Sequence, residues 1–138
     1  MDYTGATQYS TIQTKIRTAR NAGAWNGLGI TSTSASTAVP KNTTLGVMEA
    51  FEFKSIYGAG ALFDGQVIDT TAVLVKYTYY GDSDFSGHVD FDDYSHTDGG
   101  FNNHRTGWFN GDYDGNGVVD FDDYSLIDLA FNTQGGTL

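Results

Sequence analysis

Apolar residues recur at helical spacing near the start of the chain. Within residues 8–22 three positions set this spacing: Ile12, Ile16 and Ala19. Lysine and arginine occupy the opposite side, so the segment predicts an amphipathic helix of about three to four turns. We expect Ser10 or Thr11 to cap its start, and Asn21 and Gly23 to end it, because these residue types satisfy or terminate helical backbone.

We expect an irregular loop over residues 23–29, which contain three glycines, and the Ser/Thr-rich residues 31–44 have the composition of a linker. Trp25 is large and apolar enough to anchor the first of these segments in the core. We also expect a short helical turn within Ser34–Val39, ending before Pro40, because the residue before a proline disfavours helical backbone.

Three later segments carry the alternation, or the β-branched and aromatic enrichment, that is typical of strands. Thr44–Phe53 is predicted to be one strand, with apolar and glutamate side chains alternating in its second half. Ala61–Ile68 contains the turn pair Asp64-Gly65, so it forms either one strand or a hairpin. Ala72–Tyr80 has the strongest strand signal. The first part of the chain is therefore predicted to be a helix on a small antiparallel sheet.

The last third of the chain contains an internal repeat with an offset of 30 residues. Residues 90–102 (DFDDYSHTDGGFN) and 120–132 (DFDDYSLIDLAFN) are identical at nine of thirteen positions. A repeat this close indicates two copies of one supersecondary unit, a loop followed by a helix. We expect the helices to begin near Phe91 and Phe121. The first should be shorter or frayed, because Gly99-Gly100 weakens it.

Each copy begins with a twelve-residue loop, residues 82–93 (DSDFSGHVDFDD) and 112–123 (DYDGNGVVDFDD). Oxygen-bearing side chains stand at loop positions one, three, five, nine and twelve, and glycine stands at position six. Calcium takes about six to eight oxygen ligands, and this spacing supplies them, with a backbone carbonyl from position seven. The predicted ligands of two Ca²⁺ ions are Asp82, Asp84, Ser86, His88, Asp90 and Asp93 in the first loop, and Asp112, Asp114, Asn116, Val118, Asp120 and Asp123 in the second.

The loops also carry predictions about stability and pairing. Several carboxylates this close repel one another without an ion, so removing the metal should loosen the segment. Ser86 is a weaker ligand than Asn116, and we expect the first loop to bind less tightly. At position eight, Val89 and Val119 have apolar side chains that can pack between the paired loops.

Two connections predict how the parts pack together. The strand Ala72–Tyr80 runs into Asp82 without a linker, so we expect the two parts of the chain to form one packed unit. The connector between the repeats, Asn103–Asn110, has Trp108 and Phe109 as its apolar part. We expect both rings to cover the two helices.

The net charge of −10 is unevenly distributed. Residues 1–80 carry six lysines and arginines against five acidic residues, whereas residues 81–138 carry one arginine against twelve aspartates. An acidic surface repels phosphate backbones, which argues against nucleic acid as a partner. Aspartate alone, at fixed spacing, indicates metal ligation rather than a solubilising tail.

The absence of cysteine rules out disulfides and thiolate metal sites. Calcium is the usual clamp for a domain of this kind outside cells, where the ion is abundant. No apolar run approaches the roughly 18 residues of a membrane span, so no membrane insertion is expected. No signal peptide is visible at Met1. We therefore expect the chain to belong to a larger exported protein, extracellular or at the cell surface.

The two loops resemble type I dockerin repeats, in which a calcium loop precedes one helix, without the first helix of a full EF-hand. The similarity covers residues 81–101 and 111–131 and follows the pattern GD-x-[DN]-x-[DNS]-G-x-V-[DN]-x-x-D. This resemblance implies a paired, pseudo-two-fold calcium module. In cellulosomal enzymes such a module docks onto a cohesin on a scaffold.

A second resemblance covers almost the whole chain. The strings AWNGLGITSTSA (residues 24–35) and DTTAVLVKYTYYGDSDFSGHVDFDDY (residues 69–94) are similar to the C-terminal region of very large secreted or surface proteins of planctomycete-type bacteria. In those proteins the region typically follows long repeat arrays. The resemblance implies an extracellular or cell-surface location.

Together these patterns predict an α+β fold in two parts. Residues 1–80 form a small antiparallel sheet with an N-terminal helix, packed against a dockerin-like pair of calcium loop–helix units in residues 81–138. The predicted function is a non-catalytic calcium-binding module, monomeric in isolation, that attaches or assembles a protein through a cohesin-like partner or a cell-surface component. The alternative is a calcium-stabilised structural or glycan-binding terminal domain with no cohesin partner. For sugar stacking the candidates are Trp25, Tyr79, Tyr80 and Trp108, although core packing is the other use of such rings.

An enzyme is not expected. The three histidines, His88, His96 and His104, are eight residues apart, too far for one helix face to bring them to a single metal. Serine, histidine and aspartate are present, but no G-x-S-x-G frame places them. Paired carboxylates such as Asp92-Asp93 suit ligation and helix capping better than acid–base catalysis.

Overall fold

The computed structural model describes all 138 residues and has the predicted α+β composition. The helices are α1 (Tyr9–Arg20), α2 (Thr33–Thr37), α3 (Ala50–Tyr57), α4 (Phe91–Asn102) and α5 (Phe121–Thr133). The strands are β1 (Thr43–Glu49), β2 (Leu62–Phe63), β3 (Gln66–Val67) and β4 (Val73–Tyr79). Single 3-10 turns lie at Asn21–Gly23 and Trp108–Asn110. None of the helices combines the length and apolar character that crossing a bilayer requires.

Helix α1 forms where the apolar spacing predicted it and buries Ile12, Ile16 and Ala19. Burying each isoleucine contributes about 1.5–3 kcal/mol, which is enough to hold an otherwise polar helix on the sheet. Asn21 ends the helix in left-handed backbone, with φ of 43°. The predicted caps Ser10 and Thr11 are wrong, because the helix already begins at Tyr9 and both residues lie inside it.

Strands β1 and β4 pair antiparallel, with Val47 opposite Val75, and form the main sheet. Beneath one face lies a cluster built from α1 and the following loops, which includes Trp25 as predicted. Beneath the other face lies a larger cluster of 13 buried residues, to which both halves of the chain contribute. The sheet therefore shares its second core with the region that contains the aspartate loops.

The predicted strand Thr44–Phe53 is wrong in its second half, because the chain turns into α3 after Glu49. The Glu49 carboxylate accepts from the backbone of Glu52, and the Glu52 carboxylate accepts from the N–H of Glu49 at 3.1 Å. This reciprocal capping box satisfies two helix-end donors and starts a helix despite the alternating pattern. The helix buries Ala50 and Phe53 on one side.

Two of the short elements agree with the sequence. Of the alternatives for Ala61–Ile68 the hairpin is correct: β2 and β3 pair around Asp64 and Gly65, which both have positive φ, of 48° and 75°. That is the backbone of the turn type which Asp-Gly favours. The predicted helical turn before Pro40 is α2, capped by the Ser32 hydroxyl, which accepts from Ala35 N–H at 3.1 Å.

The start of each repeat helix is confirmed, at Phe91 and Phe121. The first helix is shorter than the second, as expected, but only by one residue, and α4 runs through both glycines to Asn102. A Cβ on Gly100 would lie 1.8 Å from the carbonyl oxygen of Asn110. The second glycine therefore serves close packing of α4 against the 3-10 turn.

The two repeats pack on each other through reciprocal contacts. A Cβ on Gly81, before the first loop, would lie 2.4 Å from Ile127 of α5. A Cβ on Gly111, before the second loop, would lie 2.9 Å from Thr97 of α4. Gly81 corresponds to Gly111, and Thr97 corresponds to Ile127, at the repeat offset of 30 residues. The two contacts are therefore equivalent, and each loop packs on the helix of the other repeat.

Trp108 lies between the sheet and the loops, so the expectation that it covers the two helices is wrong. Its ring packs on Tyr113, with 5.0 Å between centroids, and over Gly46 of β1, where a Cβ would be 2.8 Å away. Its Nε1–H donates to the carbonyl of Asp82 at 2.9 Å. Phe109 does cover α4, with its ring 4.5 Å from that of His96.

Candidate metal centres

Three carboxylates converge in each repeat loop. In both sets one oxygen from each residue lies within 4.8 Å of the others, and the sets are Asp82, Asp84, Asp93 and Asp112, Asp114, Asp123. These residues stand at loop positions one, three and twelve. The first and last of each set are buried, and the middle one is partly exposed.

In the first loop the backbone folds around the carboxylate of Asp82. Gly87, at position six, has φ of 93° and donates its N–H to Asp82 Oδ2 at 3.0 Å. The N–H of Ser86 donates to Asp84 Oδ1 at 2.9 Å. The sharp turn at glycine is thus what directs the first two carboxylates to one point.

Asp93 reaches the same point from the first turn of α4. Its Oδ2 accepts from the N–H of Asp90 at 2.9 Å, and its Oδ1 accepts from the N–H of Ser83 at 2.8 Å. The first of these bonds is half of a capping box, so the same carboxylate caps the start of α4 and closes the loop.

The second loop repeats this arrangement. Gly117 has φ of 91° and donates to Asp112 Oδ2 at 2.9 Å. Asp123 accepts from the N–H of Asp120 at 3.0 Å and from the N–H of Tyr113 at 2.7 Å. Equivalent donors therefore hold equivalent oxygens in both loops.

The remaining predicted ligands lie around the triads rather than within them. Ser86 Oγ is 3.3 Å from Asp82 Oδ1 and 3.2 Å from the carbonyl of His88, and the imidazole of His88 points to Asp90 instead. Asn116 is bonded to the triad through its N–H, which donates to Asp114 Oδ1 at 3.0 Å. The side chain of Val118 is exposed, as expected of a residue that would contribute only its carbonyl.

Position nine has a second role in both loops. Asp90 and Asp120 are the N-caps of α4 and α5, and each accepts from the N–H two residues later at 2.9 Å. One carboxylate oxygen of each is thereby used, and the other oxygen of Asp90 lies 3.3 Å from Nε2 of His88.

Burial makes the four inner carboxylates difficult to ionise. It raises the pKa of Asp82 and Asp112 to about 6, and that of Asp93 and Asp123 to about 7. Backbone donors and, for Asp82, the Thr78 hydroxyl partly offset this effect. Carboxylates gathered out of water in this way require a cation or protons to be stable.

The donor set fits a hard divalent cation. All of the converging groups are oxygens, supplied by aspartate, serine, asparagine and backbone, and such ligands suit calcium, magnesium or manganese rather than zinc or copper. The distances between the carboxylates leave room for one ion per loop. The two triads are therefore compatible with two metal ions.

Three contacts at the first loop could not be read from the sequence. The Thr78 hydroxyl bonds Asp82 from the end of β4, and the Ser83 hydroxyl donates to Asp93 at 2.7 Å. Gln134, after α5, bonds both the N–H and the carbonyl of Val89, at 2.7 and 2.8 Å. The backbone of Val89 is therefore bonded by the C-terminal segment.

The other candidate functional side chains are buried in the core or engaged in hydrogen bonds there. Ser83 Oγ lies 2.6 Å from Nδ1 of His96, but this serine is fully buried and its hydroxyl is shared with Asp93. Burial also lowers the pKa of His96. The four rings considered for sugar stacking are all at most 6% exposed and belong to the core: Trp25, Tyr79, Tyr80 and Trp108.

No family model, curated protein or solved structure matches the chain. The resemblance to dockerin repeats therefore rests on the loop residues themselves.

Proposed function

We propose that the chain is a non-catalytic calcium-binding module, similar to a dockerin, that attaches or assembles an extracellular or cell-surface protein. The observation that carries this proposal is the pair of buried aspartate triads, one per repeat, with equivalent residues and equivalent backbone donors. A solvated acidic surface would leave its carboxylates exposed and apart.

Calcium is the proposed ion because the loops supply more than three oxygens each. Asp82, Asp84 and Asp93 are complemented at positions five and seven by Ser86 and the carbonyl of His88, which already lie beside the triad. Calcium accepts this large, flexible oxygen shell, whereas magnesium demands a tight octahedron. In the second loop the same two positions are held by Asn116, whose side-chain amide donates to Asp114 at 3.2 Å, and by Val118 with its carbonyl.

The proposed docking surface is an aromatic face on α4 and α5. Phe91 is 78% exposed and stacks on Phe131, with 6.0 Å between ring centroids. Phe121, its equivalent in the other repeat, is 75% exposed and stacks on Phe101 at 5.6 Å. Exposed aromatic pairs of this kind mark protein interaction surfaces. The partner proposed is a cohesin-like protein or a cell-surface component.

Calcium binding is tested by a thermal melt with calcium and with chelator. We expect the chelated protein to melt at least about 10 °C lower, because ligand binding to the folded state adds RT ln(1 + [L]/Kd) to its stability. Asp123→Asn should remove most of the calcium effect of the second loop. Equal melting temperatures with and without calcium would overturn the calcium proposal.

Attachment is tested by binding of the calcium-loaded protein to a panel of type I cohesins and to surface extract of a planctomycete. Phe91→Ser and Phe121→Ser should reduce binding. Val67→Ser is the matched control, since Val67 is 87% exposed on the hairpin. Calcium-dependent stability without any binding would instead support the structural alternative, a calcium-stabilised terminal domain.

A further inference from the structure

The N-terminal segment lies along the outer edge of β4 as an extended strand. The main chains of Met1 and Val73 exchange two hydrogen bonds, of 2.7 and 2.8 Å. The N–H of Tyr3 donates to the carbonyl of Thr71 at 2.8 Å, and the pairing is antiparallel. The Tyr3 hydroxyl also donates to the buried carboxylate of Glu49 at 3.0 Å. This edge of the sheet therefore already holds a short extended segment, chiefly through main-chain bonds.

The same edge continues past Val73 without a partner. On its inner side β4 bonds β1 through alternate residues, as where the N–H of Tyr80 donates to the carbonyl of Asn42 at 3.0 Å. Bonded and non-bonded positions alternate in an antiparallel pair, so the N–H and C=O of Val75 and Tyr77 point to the outer edge. No other part of the chain bonds these four groups. Two donors and two acceptors are thus left in line with the N-terminal strand.

Two apolar cavities follow this open part of the edge. The first has a volume of about 340 Å³, and nine of its ten lining residues are apolar, among them Met1, Ile12, Ile30, Ile68 and Val75. The second has a volume of about 450 Å³ and includes Phe53, Phe63, Phe85, Val75 and Tyr77. Phe63 and Val75 line both, so the cavities adjoin, and together we call them the β4 groove.

The walls of the β4 groove come from both faces of the sheet. Ile12 belongs to the core cluster on one face, and Phe53 and Phe85 belong to the cluster on the other. Successive side chains of a strand point to opposite faces. An extended segment bonded to Val75 and Tyr77 would therefore place its side chains against the two walls in turn.

We propose that the β4 groove binds an extended, apolar segment of another polypeptide by strand addition, antiparallel to β4 and in line with Met1–Tyr3. The four free main-chain groups of Val75 and Tyr77 recognise an extended backbone, and the apolar walls recognise its side chains. This surface is separate from the aromatic face on α4 and α5 and uses no predicted metal ligand. The inference therefore goes beyond the proposed function and does not depend on it.

A second copy of the chain fits this edge less well than a single segment does. Two β4 strands that used all four groups would pair Val75 of each with Tyr77 of the other, which places Lys76 opposite the second copy's Lys76. Like charges directly opposite each other are destabilising. The walls contributed by α1 and by the β2–β3 hairpin would also meet those of the second copy.

The test is binding of a peptide to the whole chain, followed by NMR and hydrogen exchange. The probe is a peptide of alternating valine and threonine, about seven residues long, with a lysine at each end for solubility. We expect saturable shifts of the amide signals of Val75 and Tyr77. Exchange of both amides should slow at least about tenfold at saturation, because they become hydrogen-bonded. The same peptide N-methylated at every valine and threonine keeps its charge and side chains but cannot donate, and it should not bind.

Neighbouring residues of the hairpin region give a matched pair of variants. Ile68→Ser removes an apolar side chain from the β4 groove and should weaken binding about three- to tenfold. Val67→Ser changes the adjacent residue, which is 87% exposed and lines neither cavity, and should leave binding within about twofold. Ile30→Thr alters the opposite wall and should weaken binding as Ile68→Ser does, without touching the hairpin.

The outcomes separate strand addition from its alternatives. Shifts at Val75 and Tyr77 that are lost on N-methylation of the peptide would support it. Absence of binding at millimolar peptide, or equal binding of the N-methylated peptide, would overturn it. Concentration-dependent shifts of the same amides without peptide would assign the edge to a second copy, and shifts confined to Phe91 and Phe121 would assign the contact to the aromatic face. Each of these also overturns the inference, whereas the calcium-dependent melt tests the metal proposal separately.

Discussion

The hydroxyl of Tyr94 on α4 donates to the carboxylate of Asp128 on α5 at 2.6 Å. One repeat further along, Tyr124 on α5 donates in the reverse direction to Asp98 on α4. Together with the reciprocal contacts of the glycines before the loops, this exchange relates the two helices by a pseudo-two-fold axis. The resemblance to dockerin repeats implied a pseudo-two-fold pairing, but it did not indicate which residues make these contacts.

The first prediction is that these two bonds contribute equally. Tyr94→Phe and Tyr124→Phe should each lower the free energy of unfolding by about 0.5–1.5 kcal/mol, a modest value because both bonds are exposed to water. Urea unfolding at saturating calcium measures this. A loss confined to one of the two variants would mean that the repeats are not equivalent at this contact.

The second prediction concerns pH in the metal-free protein. Folding raises the pKa of the four buried aspartates from 3.8 to about 6 or 7, so between these values the folded state binds more protons than the unfolded state. Stability without calcium should therefore fall as pH rises from about 4 to about 7.

Calcium should reverse this dependence. The ion binds the ionised carboxylates, so its affinity, and with it the stability of the loaded protein, should rise over the same pH range. Chemical unfolding from pH 4.5 to pH 8, with calcium and with chelator, measures both slopes. Stability that increases with pH in chelator would contradict the raised pKa values.

The third prediction uses the adjacent glycines of α4. A Cβ on Gly100 meets the Asn110 carbonyl at 1.8 Å, whereas a Cβ on Gly99 meets nothing within 4 Å. Gly100→Ala should therefore destabilise the protein by at least about 2 kcal/mol through overpacking. Gly99→Ala should stabilise it by up to about 1 kcal/mol through helix propensity. The midpoints of urea unfolding of the two variants measure these effects. A similar shift of the midpoint in both variants would contradict the prediction.

The fourth prediction concerns the C-terminal segment. Gln134→Ala removes both bonds to the backbone of Val89, so the N–H and the carbonyl of Val89 lose their protein partner. We expect faster hydrogen exchange at Val89 and about two- to tenfold weaker calcium binding at the first loop, since an unmade buried bond costs about 1 kcal/mol or more.

Asn132→Ala is the matched control, because the amide of Asn132 bonds only the carbonyl of Asp128 in its own helix. If Gln134→Ala, like Asn132→Ala, leaves calcium binding at the first loop and hydrogen exchange at Val89 unaltered, the segment after α5 does not support the loop.

Features that depend on residues close together in the chain could be predicted from the sequence. The spacing of aspartates and glycine placed both triads, and the turn pair Asp64-Gly65 placed the hairpin. The periodicity of Ile12 and Ile16 placed α1. The one large local error, at Glu49, came from reading alternation where a capping box between two glutamates starts a helix.

Contacts between distant segments could not be read in this way. Lys76, Thr78 and Gln134 meet the first loop because the sheet and the end of α5 pack there, and nothing near them in the chain signals it. The same holds for Gly100, which looks like a helix breaker and is instead a point of close approach. Ligand types and spacing are properties of twelve consecutive residues, so they are visible in the order of amino acids. The contacts that surround the two loops arise from long-range packing, and these appear only once the chain is folded.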